Sequence, residues 1–200
     1  MVIDSNDNIH IVFLDAVDGQ LRYISYDTVL GSWSTPEVIF SDDYNGLIVN
    51  PDIEIDDDGN LHLAYTDFDN ANYESTCYYA YRGSSDTNWP ATPETIETLN
   101  GGTSGAAGSA LALDSTGKPI IAYYGKSDWS SSTYVGAIKY ATSTGSSGSW
   151  SWTLHDTHPT NADYRPSSST IALDVDNSGY LHIVFHSYSS DTLDYTTNAG

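Results

Sequence analysis

One cysteine, Cys77, stands alone in 200 residues, so the chain cannot form an internal disulfide. Basic side chains are almost as scarce: 6 Lys and Arg face 27 Asp and Glu, a formal net charge of −21. A chain so charged repels phosphate backbones and anionic lipid surfaces, which excludes nucleic acid as a partner. No apolar run approaches the roughly 18 residues of a membrane-spanning helix, so no membrane insertion is expected. A basic, apolar, small-residue leader is also missing. The first residues, "MVID", read as the inside of a strand, as in a mature fragment, and an extracellular or cell-surface location is the expectation. Helical periodicity is nearly absent as well.

What is abundant points the other way. The 16 Tyr and 5 Trp sit in short runs with Val, Ile and Thr, cut by clusters of Gly, Asn, Asp and Ser. That is the pattern of an all-β protein with many short strands. Of the 27 acidic residues 22 are Asp, the carboxylate that turns favour. The acidity therefore reflects turn chemistry and solubility in part, and also fits cation binding or a high-salt habitat.

The stretch repeats. "IDSNDNIHIVF" (3–13), "IDDDGNLHLAY" (55–65), "LDSTGKPIIAY" (113–123) and "VDNSGYLHIVF" (175–185) align on Asp4, Asp56, Asp114 and Asp176. Each stretch ends in an aromatic: Phe13, Tyr65, Tyr123, Phe185. Downstream, "LRYIS", "YYAYR", "IKYAT" and "LDYTT" place Tyr23, Tyr79, Tyr140 and Tyr195 in register, and three copies continue to Trp33, Trp89 and Trp150. A unit of this length built of four short strands predicts a β-propeller blade. The units run over about 1–46, 47–104, 105–164 and 165–200, and the fourth lacks its outer strand, so fifteen strands are expected. Within each unit, strand A ends at the Asp, strand B follows the Asn/Gly/Asp turn, strand C carries the Tyr, and strand D follows the Trp. Three arrangements are open: a closed four-bladed ring, two chains joined as an eight-bladed ring, or a segment of a larger propeller. The apolar faces that an unclosed set would expose favour the larger propeller or a self-associating half, so a homodimer completing a larger ring is one expected partner.

These repeats resemble bacterial and archaeal extracellular propellers of the sialidase-like (BNR, Asp-box-like) type, whose blades read roughly "sIAlDsnGnpHIaYyD…LkYa…W". The strict Asp-box, Ser-x-Asp-x-Gly-x-Thr-Trp, is not present, and "SSDTNW" (84–89) is a partial echo. Such propellers host lectins, hydrolases, adhesins and scaffolds. The resemblance implies that sialidase chemistry would need three arginines on a substrate carboxylate, a Tyr nucleophile with a Glu partner, and an Asp acid/base. Only Arg22, Arg82 and Arg165 are available, at non-equivalent repeat positions. The Glu residues offer no evident partner for a nucleophilic Tyr. No catalytic residue is assigned.

Other candidates have plain readings. Asp174/Asp176/Ser178, Asp56/Asp58/Asn60 and, loosely, Asp4/Asn6/Asn8 alternate oxygens as Ca²⁺ loops do, but the twelfth-position Glu is absent, Phe185 holding that slot after Asp174, and a turn is the reading. No metal site and no cofactor are assigned; a loosely held Ca²⁺ is the one cation these loops suggest. His10, His62 and His182 share a blade position that Ile120 fills in the third unit, and they are expected to hydrogen-bond a neighbouring blade. His155, His158 and His186 lie in or near loops, freer to act. The Trp33/Trp89/Trp150 series predicts packing between blades, and Cys77 predicts packing within one.

Binding remains. The B–C and D–A loops share one face of a propeller, and here they are long, irregular, acidic and aromatic. Tyr44, Tyr73, Trp129, Tyr164 and Tyr188 can stack on sugar rings, beside Asp42, Asp43, Asp67, Asp69 and Asp128, with His158, Arg165 and His186 on the same loops. The expected function is a non-catalytic recognition or adhesion module for a glycan or protein. The alternatives are an inactive segment of a larger sialidase-like glycoside hydrolase and a self-assembling architectural segment.

Overall fold

The computed structural model describes residues 1–15, 17–41, 47–69, 74–100, 108–130, 133–146, 148–157, 171–187 and 192–198. These form four antiparallel sheets and no helix. The first holds β1 (Val2–Ile3), β2 (Ile9–Asp15), β3 (Gln20–Asp27), β4 (Ser32–Trp33) and β5 (Glu37–Ser41). The second holds β6 (Leu47–Ile55), β7 (Leu61–Asp69), β8 (Glu74–Arg82) and β9 (Glu94–Asn100). The third holds β10 (Ser109–Leu113), β11 (Pro119–Ser130), β12 (Thr133–Ser146) and β13 (Ser149–Asp156). The fourth has three strands, β14 (Ile171–Val175), β15 (Leu181–Ser187) and β16 (Thr192–Thr197). In the second, third and fourth sheets consecutive strands pair as a meander, and in the first β1 to β4 do so while β5 returns to β3.

Sixteen strands replace the expected fifteen because the outer stretch of the first sheet is split. Both β4 and β5 pair with β3, and the break falls at Ser34–Pro36, where Pro36 has no N–H to give a ladder. Ser34 bridges the gap, donating its backbone N–H to the Ser25 carbonyl at 2.8 Å. A second irregularity has the same cause. The register of β6 on β7 shifts between Val49 and Asp52, where Pro51 interrupts the ladder and Asn50 takes a φ of 44°.

Alternate residues of the two middle B strands, β7 and β11, serve two junctions. On β7, Leu63 and Tyr65 pack with Leu21 and Tyr23 of the first sheet, while Ala64 packs with Leu111, Ile121 and Tyr123 of the third. Ala122 turns the other way, to Ile183 and Phe185 of the fourth. A strand covered on both faces is buried residue after residue, as β7 is from Leu61 to Thr66, so it lacks the alternation of a half-exposed strand. By contrast β15 alternates: Leu181, Ile183 and Phe185 are buried, while His182, Val184 and His186 are half-buried.

The tryptophans fill two of the junctions. Trp89 meets the Tyr23 ring edge-on at 5.7 Å between centroids, and Trp150 lies 6.3 Å from Tyr81. Trp33 departs from the expected packing between blades. It is 50% exposed and leans on Tyr26 of its own sheet at 5.1 Å, because no described sheet lies on that side.

Candidate functional site

Each A–B turn is organised by its Asp. Asp56 Oδ1 accepts the backbone N–H groups of Asp58 and Asn60 at 3.0 and 2.8 Å. Asp4, Asp114 and Asp176 do the same in their own turns. The turn reading of these carboxylates therefore holds. Burial of Asp56 pushes its carboxyl up, but hydrogen bonds from Asn60 and His62 outweigh this and hold it below the usual value.

The second carboxylate oxygen faces a histidine. Asp56 Oδ2 lies 3.4 Å from His62 Nε2, and His62 Nδ1 lies 2.7 Å from the Tyr79 hydroxyl. The same row recurs as Asp4, His10 and Tyr23, with a 2.6 Å His–Tyr bond, and as Asp176, His182 and Tyr195, with one of 2.7 Å. This corrects the expectation that the histidines bond a neighbouring blade: both partners belong to the histidine's own sheet. Pairing of Tyr79 with Ala64 sets the tyrosine diagonally across from His62 on one face, within reach of its ring. Burial lowers the pKa of His10 and His62 and raises that of Tyr23 and Tyr79. Neutral imidazoles and protonated phenols make a structural clasp, not an activated nucleophile.

The third sheet lacks this row. Ile120 replaces the histidine, and Tyr140 stacks on His155 at 4.5 Å and 13°. His155 is thus a strand residue of β13 held by Tyr140 and by the Thr142 hydroxyl at 3.0 Å, not the free loop histidine expected. Cys77 is buried in β8, and burial raises its thiol pKa, as packing requires.

The two described arginines do not converge. Arg22 pairs with Asp15 and Asp18 beside the β2–β3 turn, at 3.2 and 2.8 Å. Arg82 lies at the far end of β8, 3.4 Å from Glu37, with its guanidinium 5.0 Å above the Tyr23 ring. Arg165 lies outside the described residues. Arg82 also walls a polar cleft of about 320 Å³ between the first two sheets, with Asp4, His10, Asp58, Ser84 and Asp86. This cleft is on the A–B turn face, opposite the face chosen from the loops. Its signal in the sequence was faint: "RGSSD" beside "DDDGN" becomes a cleft only when two turns of adjacent sheets meet.

Carboxylates also gather on the innermost strands. Asp52 Oδ2 accepts the Leu111 N–H across the junction of the second and third sheets, at 2.9 Å. Burial raises the pKa of Asp52. Two positions on, burial and then the charges of Asp52 and Asp174 push Glu54 up to about 7. In the other units Val2, Ala112 and Asp174 hold this position, so a carboxylate recurs in only one of them.

The expected ligand-binding residues that are described all sit at the B–C ends of their sheets. Asp67 pairs with Thr76 and Asp69 with Glu74 in the second sheet. Asp128 pairs with Val135 and Trp129 with Tyr134 in the third, and His186 with Leu193 in the fourth. They share one rim across three sheets. Asp42, Asp43, Tyr44, Tyr73, His158, Tyr164 and Tyr188 lie outside the described residues.

Solved structures define the class of fold. The chain is similar to a point mutant of the NanB sialidase of Streptococcus pneumoniae, with a TM-score of 0.60 and 13% identity over 98% of this chain and 28% of that one. NanB in complex with a chlorobenzyl-ammonio-ethanesulfonate gives 0.57 at 13% identity and the same coverage. The polysaccharide lyase Uly1 gives 0.54 and 10% identity over 98% of this chain and 56% of that one. The chain is an all-β propeller with a sialidase-like fold, spanning less than two thirds of each of these proteins. No family model matches it, and no curated protein matches its sequence.

Proposed function

We propose that the chain is a non-catalytic recognition module whose B–C rim binds an uncharged glycan. The observation that carries this reading is the rim itself: Asp67, Asp69, Asp128, Trp129 and His186 share one edge of a fold also found in a sialidase and a polysaccharide lyase. Carboxylates accept sugar hydroxyl protons and an indole stacks on a sugar ring. A chain of net charge −21 repels acidic sugars, which selects a neutral ligand. Against catalysis, the described arginines lie at opposite ends of their sheets, each paired to carboxylates.

Titration calorimetry with neutral and acidic oligosaccharides tests the reading. Neutral oligosaccharides should bind, and Trp129→Ala or Asp67→Asn should weaken binding about tenfold or more. Binding confined to acidic sugars, or untouched by both substitutions, would refute it. A second reading, a segment of a larger carbohydrate-active enzyme, is favoured by the 28% and 56% coverage of the similar structures. It predicts activity only in a longer chain that contains this one.

A further inference from the structure

The two end sheets present complementary halves of the junction that the chain builds internally. Pairing of Ile9, Ile11 and Phe13 with Tyr26, Ile24 and Arg22 puts them all on one face of the first sheet, with Trp33 and Val38. The equivalent rows are buried against the preceding sheet in the other units: Leu61, Leu63 and Tyr65 in the second, Leu181, Ile183 and Phe185 in the fourth. In the first sheet that row is half-buried, and Ile3, Trp33 and Val38 are 56%, 50% and 43% exposed.

The fourth sheet is open on the opposite side. His182, Val184, Leu193 and Tyr195 share the face that in earlier sheets receives the next one. Tyr23 is 5% exposed beneath Trp89, and Tyr79 is fully buried beneath Trp152 at 5.0 Å. Tyr195 occupies the same place in its Asp–His–Tyr row and is 57% exposed, with Leu193 at 73%. Among the described residues of one chain nothing covers either the first sheet's outer face or the fourth sheet's.

We infer that a second copy of this chain docks its first sheet on the open face of the fourth, setting Trp33 against Tyr195. The contact repeats the first junction, where Trp89, the counterpart of Trp33, meets Tyr23, and resembles the second, where Trp152 meets Tyr79 and Trp150 meets Tyr81. It joins two different surfaces, so it is heterologous and either closes into a ring or propagates.

Light scattering and sedimentation over a range of concentrations test this on the chain as it stands. Association should rise with concentration, and Trp33→Ala and Tyr195→Ala should each weaken it about tenfold or more. Both side chains are largely exposed, so circular dichroism should show both variants folded. Mixing the two variants should restore association beyond either alone, because the intact Trp33 of one meets the intact Tyr195 of the other. A monomer at all concentrations would overturn the inference and leave the open face to a further blade of a longer chain. So would association that neither substitution weakens, or that mixing fails to restore.

Discussion

The Tyr79 hydroxyl and His62 Nδ1 lie 2.7 Å apart in a pocket where both rings are inaccessible to solvent. The same bond between Tyr195 and His182 has the same length but stands half in water. One geometry in two environments separates the hydrogen bond from its burial. Tyr79→Phe strands a buried imidazole nitrogen and should cost about 1–3 kcal/mol. Tyr195→Phe leaves a nitrogen that water can reach and should cost under about 1 kcal/mol. Urea denaturation of both variants checks this, and equal losses would mean that burial of the row contributes nothing.

Glu54 should make stability depend on pH in the direction opposite to an ordinary carboxylate. Its folded value of about 7 lies above the usual 4.5, so the folded chain holds a proton that the unfolded chain releases between these values. The contribution is fully present below the usual value and is lost as the pH rises through about 7. Glu54→Gln keeps the shape without the charge. It should raise stability by about 1–2 kcal/mol above pH 7, discounted for partial solvent screening, with little change near pH 4.5. Thermal melts of both proteins across that window check the sign. His62 acts oppositely: its lowered value means stability falls as the pH drops below the usual 6.5.

Much of this architecture is legible in the chain because the repeat is printed four times. Asp4, Asp56, Asp114 and Asp176 mark the turns, and the missing fourth strand of the last sheet shows in the missing tryptophan segment. The Asp–His–Tyr row was within reach but misread. His10 and Tyr23 are 13 residues apart and His62 and Tyr79 are 17, so only the hairpin register, not the spacing, reveals them as diagonal neighbours. Trp33 differs for another reason: a repeat tells which residue packs, but among the described residues no sheet lies on the side of the first sheet that Trp33 faces. Glu54 shares its repeat position with a second carboxylate, Asp174, and with Val2 and Ala112, so the alignment shows an acidic position but not that the charges there would meet.

Gly148 holds the β12–β13 turn against the second sheet. Its φ is +82°, and a Cβ there would sit 2.9 Å from the Tyr81 ring. Both the left-handed backbone and the clash oppose a side chain, so Gly148→Ala should destabilise by about 1–3 kcal/mol. A paired variant, Gly148→Ala with Tyr81→Ala, removes the clash and keeps the backbone strain. If the ring contact matters, the two changes will be non-additive in a double-mutant cycle.

One polar link between the second and third sheets is centred on Glu97 of β9. Its carboxylate accepts Lys139 Nζ at 2.6 and 2.9 Å and the Tyr123 hydroxyl at 2.7 Å, so one side chain of the second sheet satisfies two of the third. Lys139 and Glu97 are 13% and 20% exposed, whereas Arg22 and Asp18 are 23% and 44% exposed. Removing Glu97 leaves the Tyr123 hydroxyl without this acceptor and the Lys139 ammonium with only the exposed Asp156 carboxylate, 3.8 Å away, so Glu97→Ala should cost about 2–3 kcal/mol. Asp18→Ala should cost under about 1 kcal/mol, and less still in 1 M salt, where the screening length is about 3 Å. Salt acts on the whole chain in the other direction, screening the repulsion behind a net charge of −21 and raising stability. The decisive comparison is therefore the variant-to-parent difference at low and high salt. For Glu97→Ala that difference should persist, because little water or salt reaches the pair, and its disappearance in salt would place Glu97 among the ordinary surface charges.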